Sequence, residues 1–255
     1  MKRLQFIALL ALGACSCLQA KEARTPDSAC YELRIYHAQD GKLDALHARF
    51  RDHTMQLFER HGMKNIAYWV PVENSGRRLI YLLSYPDAAA REKSWRAFAA
   101  DPEWISAKAA SEVGGALVAK HESLLLGATE FSPALETVAA GGVFEMRTYT
   151  ASPGNLPNLL NRFRDHTLGL FSKHGMQHLG YYTPMAGQSG AGETLIYFLG
   201  HASSAAQVAS FAEFRADPAW LKAKAASEAA AGGSLTVVDG VKSELLVATD
   251  YSPLK

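Results

Sequence analysis

Cysteine is scarce in this chain, and its placement rules out a disulfide scaffold. Of three cysteines in 255 residues, Cys15 and Cys17 lie near the N-terminus and only Cys30 falls in the remainder. Neither a disulfide framework nor a thiolate zinc site can be assembled from that set. Cys30 stands alone beside a strand start and reads as a small buried side chain. A surplus of one charge is also missing: 26 Lys and Arg face 25 Asp and Glu, which leaves no electrostatic footprint for nucleic acid. Beyond the N-terminal segment no apolar run reaches the ~20 residues of a membrane-spanning helix. The chain has no His-Glu-x-x-His, no acidic calcium loop, no Gly-Lys-Ser/Thr phosphate loop and no dinucleotide glycine fingerprint. His47, His53 and His61 are six and eight residues apart, not the three or four that share a helical face, so no metal centre is expected.

The N-terminus reads as a targeting segment, residues 1–20. Lys2 and Arg3 precede the apolar run Leu4 to Ala14, too short to span a membrane as a mature helix. Leu12-Gly13-Ala14-Cys15 resembles a bacterial lipobox, in which Cys15 would be lipidated and become the first mature residue. The competing reading is ordinary secretory cleavage after Ala20. Ser16, by resemblance to bacterial lipoproteins, favours the outer membrane. Either reading makes the protein exported, to the periplasm or the outer membrane, touching membrane only through its signal or lipid anchor. Residues 21–29 are polar, contain Pro26 and read as a tether.

The rest of the chain says one thing twice. Arg49-Phe50-Arg51-Asp52-His53-Thr54 returns as Arg162-Phe163-Arg164-Asp165-His166-Thr167, and from Tyr31 to Met63, 18 of 33 positions recur 113 residues later. A repeat of that length is a duplicated domain, with units over 30–133 and 143–255 joined by an Ala/Gly-rich linker at 134–142. In each unit a strand of period two (Tyr31 to Tyr36; Phe144 to Tyr149) precedes an amphipathic helix that stops at His-Gly. A hairpin follows, then an Ala-rich helix, then a helix restarted at Asp101-Pro102 or Asp217-Pro218, then a closing strand. Strand, helix, strand, strand, helix, strand is the ferredoxin-like order. The fold class is therefore α+β, two tandem ferredoxin-like repeats. Each four-stranded sheet carries helices on one face only, so the bare faces should pack together into an intrachain barrel with a pseudo-two-fold axis. That makes the chain a pseudo-dimer in itself, open to further oligomerisation.

The Tyr-Glu-Leu-Arg-Ile-Tyr strand, the Phe-Arg-Asp-His-Thr and Phe-x-x-His-Gly-Met helix and the Asp-Pro-x-Trp turn resemble the NIPSNAP family, over about 31–127 and 144–250. That family belongs to the dimeric α/β-barrel superfamily. The wider superfamily includes haem-degrading and quinone-forming monooxygenases, so the resemblance implies that a small-molecule cavity is plausible, by analogy of fold.

Candidate chemistry lies in two places. Glu32, Arg34 and Tyr36 share one strand face, as do Glu145, Arg147 and Tyr149. If that face lines the barrel, the Glu-Arg pairs can position a small apolar or carbonyl-bearing ligand, with Arg34, Arg147, Tyr36 and Tyr149 as contacts. The bland alternative is a structural ion pair that satisfies its own charges. His53 and His166 fall at the margin of the helical apolar stripe and are candidate bases, with Glu32 and Glu145 as further catalytic candidates; a satisfied core histidine is the alternative. The expected function is an exported NIPSNAP-like module that binds a small ligand or a partner, without a required cofactor. The rival is a cofactor-poor monooxygenase or isomerase, or a haem protein, using a pocket between the sheets.

Overall fold

The computed structural model describes residues 29–133 and 142–255. The leader with Cys15, most of the tether and nearly all of the linker lie outside the described residues. Among the described residues eight strands appear: β1 (Cys30–Ala38), β2 (Lys64–Pro71), β3 (Arg78–Tyr85), β4 (Val118–Ala128), β5 (Val143–Ala151), β6 (Gln177–Pro184), β7 (Thr194–His201) and β8 (Thr236–Ala248). They form one closed barrel in the order β1-β3-β2-β8-β5-β7-β6-β4. Within each repeat the order is that of a ferredoxin-like sheet. The two sheets meet face to face as the bare-face argument requires, and their edges also pair. β2 joins β8 through Trp69↔Ala248, and β4 joins β6 through Ala128↔Tyr182. Each seam is three residue pairs long, and among the described residues every strand of the barrel has a neighbour on both sides.

Helices cover the outside. In the first repeat they are α1 (Leu43–Arg49), α2 (Met55–Arg60), α3 (Ala88–Ala100) and α4 (Pro102–Ser111). In the second they are α5 (Leu156–Arg162), α6 (Leu168–Lys173), α7 (Ser204–Ala216) and α8 (Pro218–Ala231). Local chemistry sets their ends. Asp101 and Asp217 accept from the backbone N–H two residues on, at 2.8 Å each, and a proline occupies the first helical position. Gly62 and Gly175 end the first helices at φ +78° and +74°, a conformation that side chains with a Cβ rarely adopt. Among the described residues no helix is long and apolar enough to cross a membrane.

Strand alternation divides the core into three. Leu33, Trp69, Ile80, Leu82, Phe144, Tyr182, Ile196 and Phe198 fill the barrel, with Trp69 stacked on Phe198 at 5.0 Å between ring centroids. The opposite faces pack under the helices: Phe50, Phe58, Tyr68 and Tyr81 in the first repeat, Phe163, Phe171, Tyr181 and Tyr197 in the second. The barrel is therefore a packed apolar core. Trp69 Nε1 and Tyr182 Oη, equivalent across the pseudo-two-fold, are buried in it without a hydrogen-bond partner among the described residues.

After the last strand of each repeat the chain crosses to the other. Thr129 donates its N–H to the Tyr181 carbonyl at 2.9 Å, and the Tyr181 N–H donates to Ser132 Oγ at 2.9 Å. Thr249 and Ser252 treat Tyr68 identically, at 2.9 Å each. Ser132-Pro133 and Ser252-Pro253, a Ser-Pro pair that the sequence repeats after each closing strand, thus belong to reciprocal clasps. The second clasp is reinforced by His47 Nδ1 against Tyr251 Oη (2.7 Å) and Arg51 on Asp250.

Candidate functional site

The Glu-Arg face of β1 points away from the barrel. Tyr31, Leu33 and Ile35 turn inward, while Glu32, Arg34 and Tyr36 lie beneath the helices. The expectation that this face lines the barrel is corrected by the pleat: only one set of alternating residues can face the apolar interior, and the odd-numbered one is apolar. Glu32 is completely buried and committed. It accepts from Arg34 Nη1 (2.6 Å), Arg91 Nη2 (2.7 Å), Ser123 Oγ (2.6 Å), Tyr85 Oη (2.8 Å) and Trp95 Nε1 (2.8 Å). A carboxylate offers roughly four lone-pair sites, so none is left over for a substrate. Burial opposes its ionisation, but the hydrogen bonds from Arg91, the charge of Arg34 and the other donors outweigh it and hold the pKa at about 2. Arg34 is tied to Tyr81 Oη at 2.9 Å and lies over the Trp95 ring at 4.3 Å.

Glu145 is equally enclosed, by Arg147 Nη1 (2.6 Å), His201 Nε2 (3.0 Å), Gln207 Nε2 (3.1 Å) and Ser243 Oγ. Its pKa is also lowered, burial being outweighed by the His201 hydrogen bond, Arg147 and Ser243. Both pairs are geometrically structural ion pairs. Of the strand residues proposed to touch a ligand, Tyr36 and Tyr149 line clefts, while Arg34 and Arg147 stand behind them.

His53 and His166 are exposed and line neither cleft. A 3.6-residue step from Leu46 through Phe50 points His53 inward, but the chain makes a π turn there, Phe50–Thr54, and another at Phe163–Thr167. The Met55 N–H reaches back to the Phe50 carbonyl, and Thr54 Oγ1 donates to the Arg49 carbonyl at 3.1 Å. The extra residue in the turn passes the inward position to Thr54, which is buried, and turns His53 outward. Neither histidine can therefore act on, or ligate a haem in, the barrel or the clefts. Haem needs an axial side chain, and neither of these two histidines can supply it there. Among the described residues no group of three His, Cys, Asp or Glu is placed to hold a metal ion.

The same π turn builds the floor of a cleft. Between β1, β4 and the helices of the first repeat lies a cavity of about 370 Å³ walled by Tyr36, Phe50, Phe58, Trp95, Phe98 and Trp104. Arg49 lies against it, buried, its guanidinium 5.3 Å from the centre of the Trp104 ring. Arg49 Nη1 donates to Glu112 at 2.8 Å and Ser111 Oγ at 3.2 Å, while its Nε finds no partner. Thr54 completes the polar floor, and Lys108, Lys120 and His121 stand at the exposed mouth. The second repeat has the equivalent cleft, lined by Tyr149, Arg162, Thr167, Trp220 and Glu228, but of about 160 Å³. Sequence reasoning passed over Arg49, Thr54, Glu112 and His121. The first three did carry a signal, because each is identical in the second copy (Arg162, Thr167, Glu228). His121 carried none, since Val241 takes its place across from Tyr149.

A barrel closed by two ferredoxin-like repeats, with a cleft under each helix layer, defines a single-chain form of the dimeric α/β-barrel class. The NIPSNAP family profile matches residues 31–133 and 144–253, and the chain belongs to that family. Among curated proteins none matches the sequence. Among solved structures, the chain is similar to a candidate monooxygenase from Fusobacterium nucleatum subsp. nucleatum ATCC 25586, with TM-score 0.56, 11% identity and coverage of 86% of this chain and 92% of that one. An anthrone oxidase-like protein gives TM-score 0.56 at 12% identity, covering 88% and 92%. A candidate monooxygenase from Lactobacillus acidophilus NCFM gives 0.54 at 8%, covering 86% and 93%. At these identities the likeness is one of fold.

Proposed function

We propose that this NIPSNAP protein binds a small, largely apolar ligand in the first repeat's cleft, between sheet and helices. The observation that supports this reading is an aromatic-walled cavity of about 370 Å³ with a few polar groups at its floor and mouth, the make-up of a small-molecule site. Native mass spectrometry of the purified mature protein, with and without Ala99→Trp, tests it. Ala99 is an exposed cleft-lining residue of α3, and tryptophan there would fill the mouth. The expected result is one ligand per chain, lost in the variant. A chain that stays empty and whose tryptophan fluorescence no aromatic probe alters would leave a protein-interaction module as the better reading.

The named fold neighbours favour one catalytic version, a cofactor-free oxygenase at the same cleft. There His121, rather than His53 or His166, would take the substrate proton, with Arg49 and Thr54 beside the oxygen that gains charge. Oxygen uptake with an anthrone, abolished in His121→Ala, tests this; no uptake above buffer sinks it. We also propose export as a lipoprotein through Cys15. Labelled palmitate should enter the wild type and not Cys15→Ser, and labelling of neither returns the reading to cleavage after Ala20.

A further inference from the structure

The two clefts descend from one duplicated unit, so the residues at which they differ are informative about what each can hold. Arg49, Lys108 and Glu112 recur as Arg162, Lys224 and Glu228, yet the charges are shared out differently. In the second repeat Lys224 Nζ donates to Glu228 at 2.9 Å, and Arg162 lies 3.5 Å from the same carboxylate, so one acid serves both cations. In the first repeat Arg49 holds Glu112 at 2.8 Å, and Lys108 makes no ion pair among the described residues. The mouth differs as well. Tyr36 faces His121 across the β1–β4 ladder, where Tyr149 faces Val241. Lys120 also lines the first mouth, but Glu122 holds it at 2.9 Å and the same carboxylate takes His37.

The first cleft thus combines an aromatic interior with an exposed ammonium, near Glu112 but in no close ion pair with it because Arg49 holds that carboxylate, and an imidazole with no acidic partner among the described residues. The second keeps the aromatic interior, neutralises its lysine and replaces the imidazole with valine. Its volume, about 160 Å³, also falls below the ~300–1,000 Å³ usual for small-molecule sites, whereas the first lies within that range. We infer that the first cleft alone binds an aromatic anion, one per chain, its rings among the aromatic walls and its carboxylate or comparable anionic group at the mouth by Lys108 and His121. This inference rests on the reading of the first cleft as a ligand site.

The test uses 2-naphthoate and its neutral analogue 2-naphthylmethanol, titrated into the mature protein by isothermal calorimetry. The wild type is expected to bind one naphthoate per chain, about five- to tenfold more tightly than the alcohol, as two exposed charge contacts provide. That preference should shrink as salt is raised, because exposed charges are screened. In Lys108→Met/His121→Val, both exposed substitutions, the preference for naphthoate over the alcohol should disappear, the two probes binding within about twofold of each other. Equal wild-type affinities, a preference that survives the double variant, or two naphthoates per chain would each overturn the anion inference and leave the cleft reading intact. Failure of both probes to bind would overturn the cleft reading and the inference together.

Discussion

Replacing Glu32 by glutamine should cost about 3–5 kcal/mol at neutral pH, the usual loss on breaking a buried pair from one side. Glu32 is 0% exposed and receives two arginines, an indole and two hydroxyls. Glutamine keeps the shape but removes the charge that compensates Arg34, which stays buried against Tyr81 and Trp95. The pH dependence gives an independent magnitude. Lowering a carboxyl from 4.5 to about 2 corresponds to about 3 kcal/mol. Because the folded pKa lies below the unfolded one, that contribution is fully present above pH 4.5 and is lost as the pH falls toward 2. Urea unfolding of wild type and Glu32→Gln, followed by circular dichroism from pH 7 to pH 3, reads both quantities. The gap between them should be widest at pH 7 and narrow steadily below about pH 4.5. A gap under about 1 kcal/mol, or one independent of pH, would refute the structural role of the pair.

Three further outcomes follow from the same contacts. Tyr182→Phe deletes a buried hydroxyl that has no partner, so it should leave stability unchanged or raise it by up to about 1 kcal/mol in thermal denaturation; a clear loss would mean that the hydroxyl is satisfied. Ser252→Ala strands the buried Tyr68 N–H and should cost about 1–3 kcal/mol in urea unfolding, whereas no loss would show that the clasp is dispensable. His53→Ala and His166→Ala touch exposed side chains outside both clefts; stability should stay within about 0.5 kcal/mol and 2-naphthoate affinity should not move, and a tenfold loss of affinity would return these histidines to the site.

The duplication makes the fold legible in the amino-acid sequence itself. Period-two strands, His-Gly helix stops and Asp-Pro restarts were each local, and each appeared twice, so topology and bare-face packing followed from them. The site was harder to read because facing depends on geometry that composition does not carry. One residue of π turn exchanged His53 for Thr54 as the inward group. The Glu-Arg strands were correctly matched as counterparts in the two repeats, yet which pleat faces the barrel is settled by Leu33 and Phe144 packing in its interior. Arg49 stood in plain view as the first residue of the repeated hexapeptide, but its neighbour Glu112 is 63 positions away and meets it only through the fold. The clasp was visible only as an echo of Ser-Pro, since its partner strands belong to the other repeat.

The proposed ligand site lies under the first repeat's helices rather than inside the barrel, and a crystal structure of the mature chain grown with 2-naphthoate would locate it. One naphthoate per chain is expected among Phe50, Trp95 and Trp104, with its carboxylate toward Lys108 and His121, and a barrel still filled by Trp69 and Phe198. Naphthoate inside the barrel, or in the cleft of the second repeat, would contradict that placement.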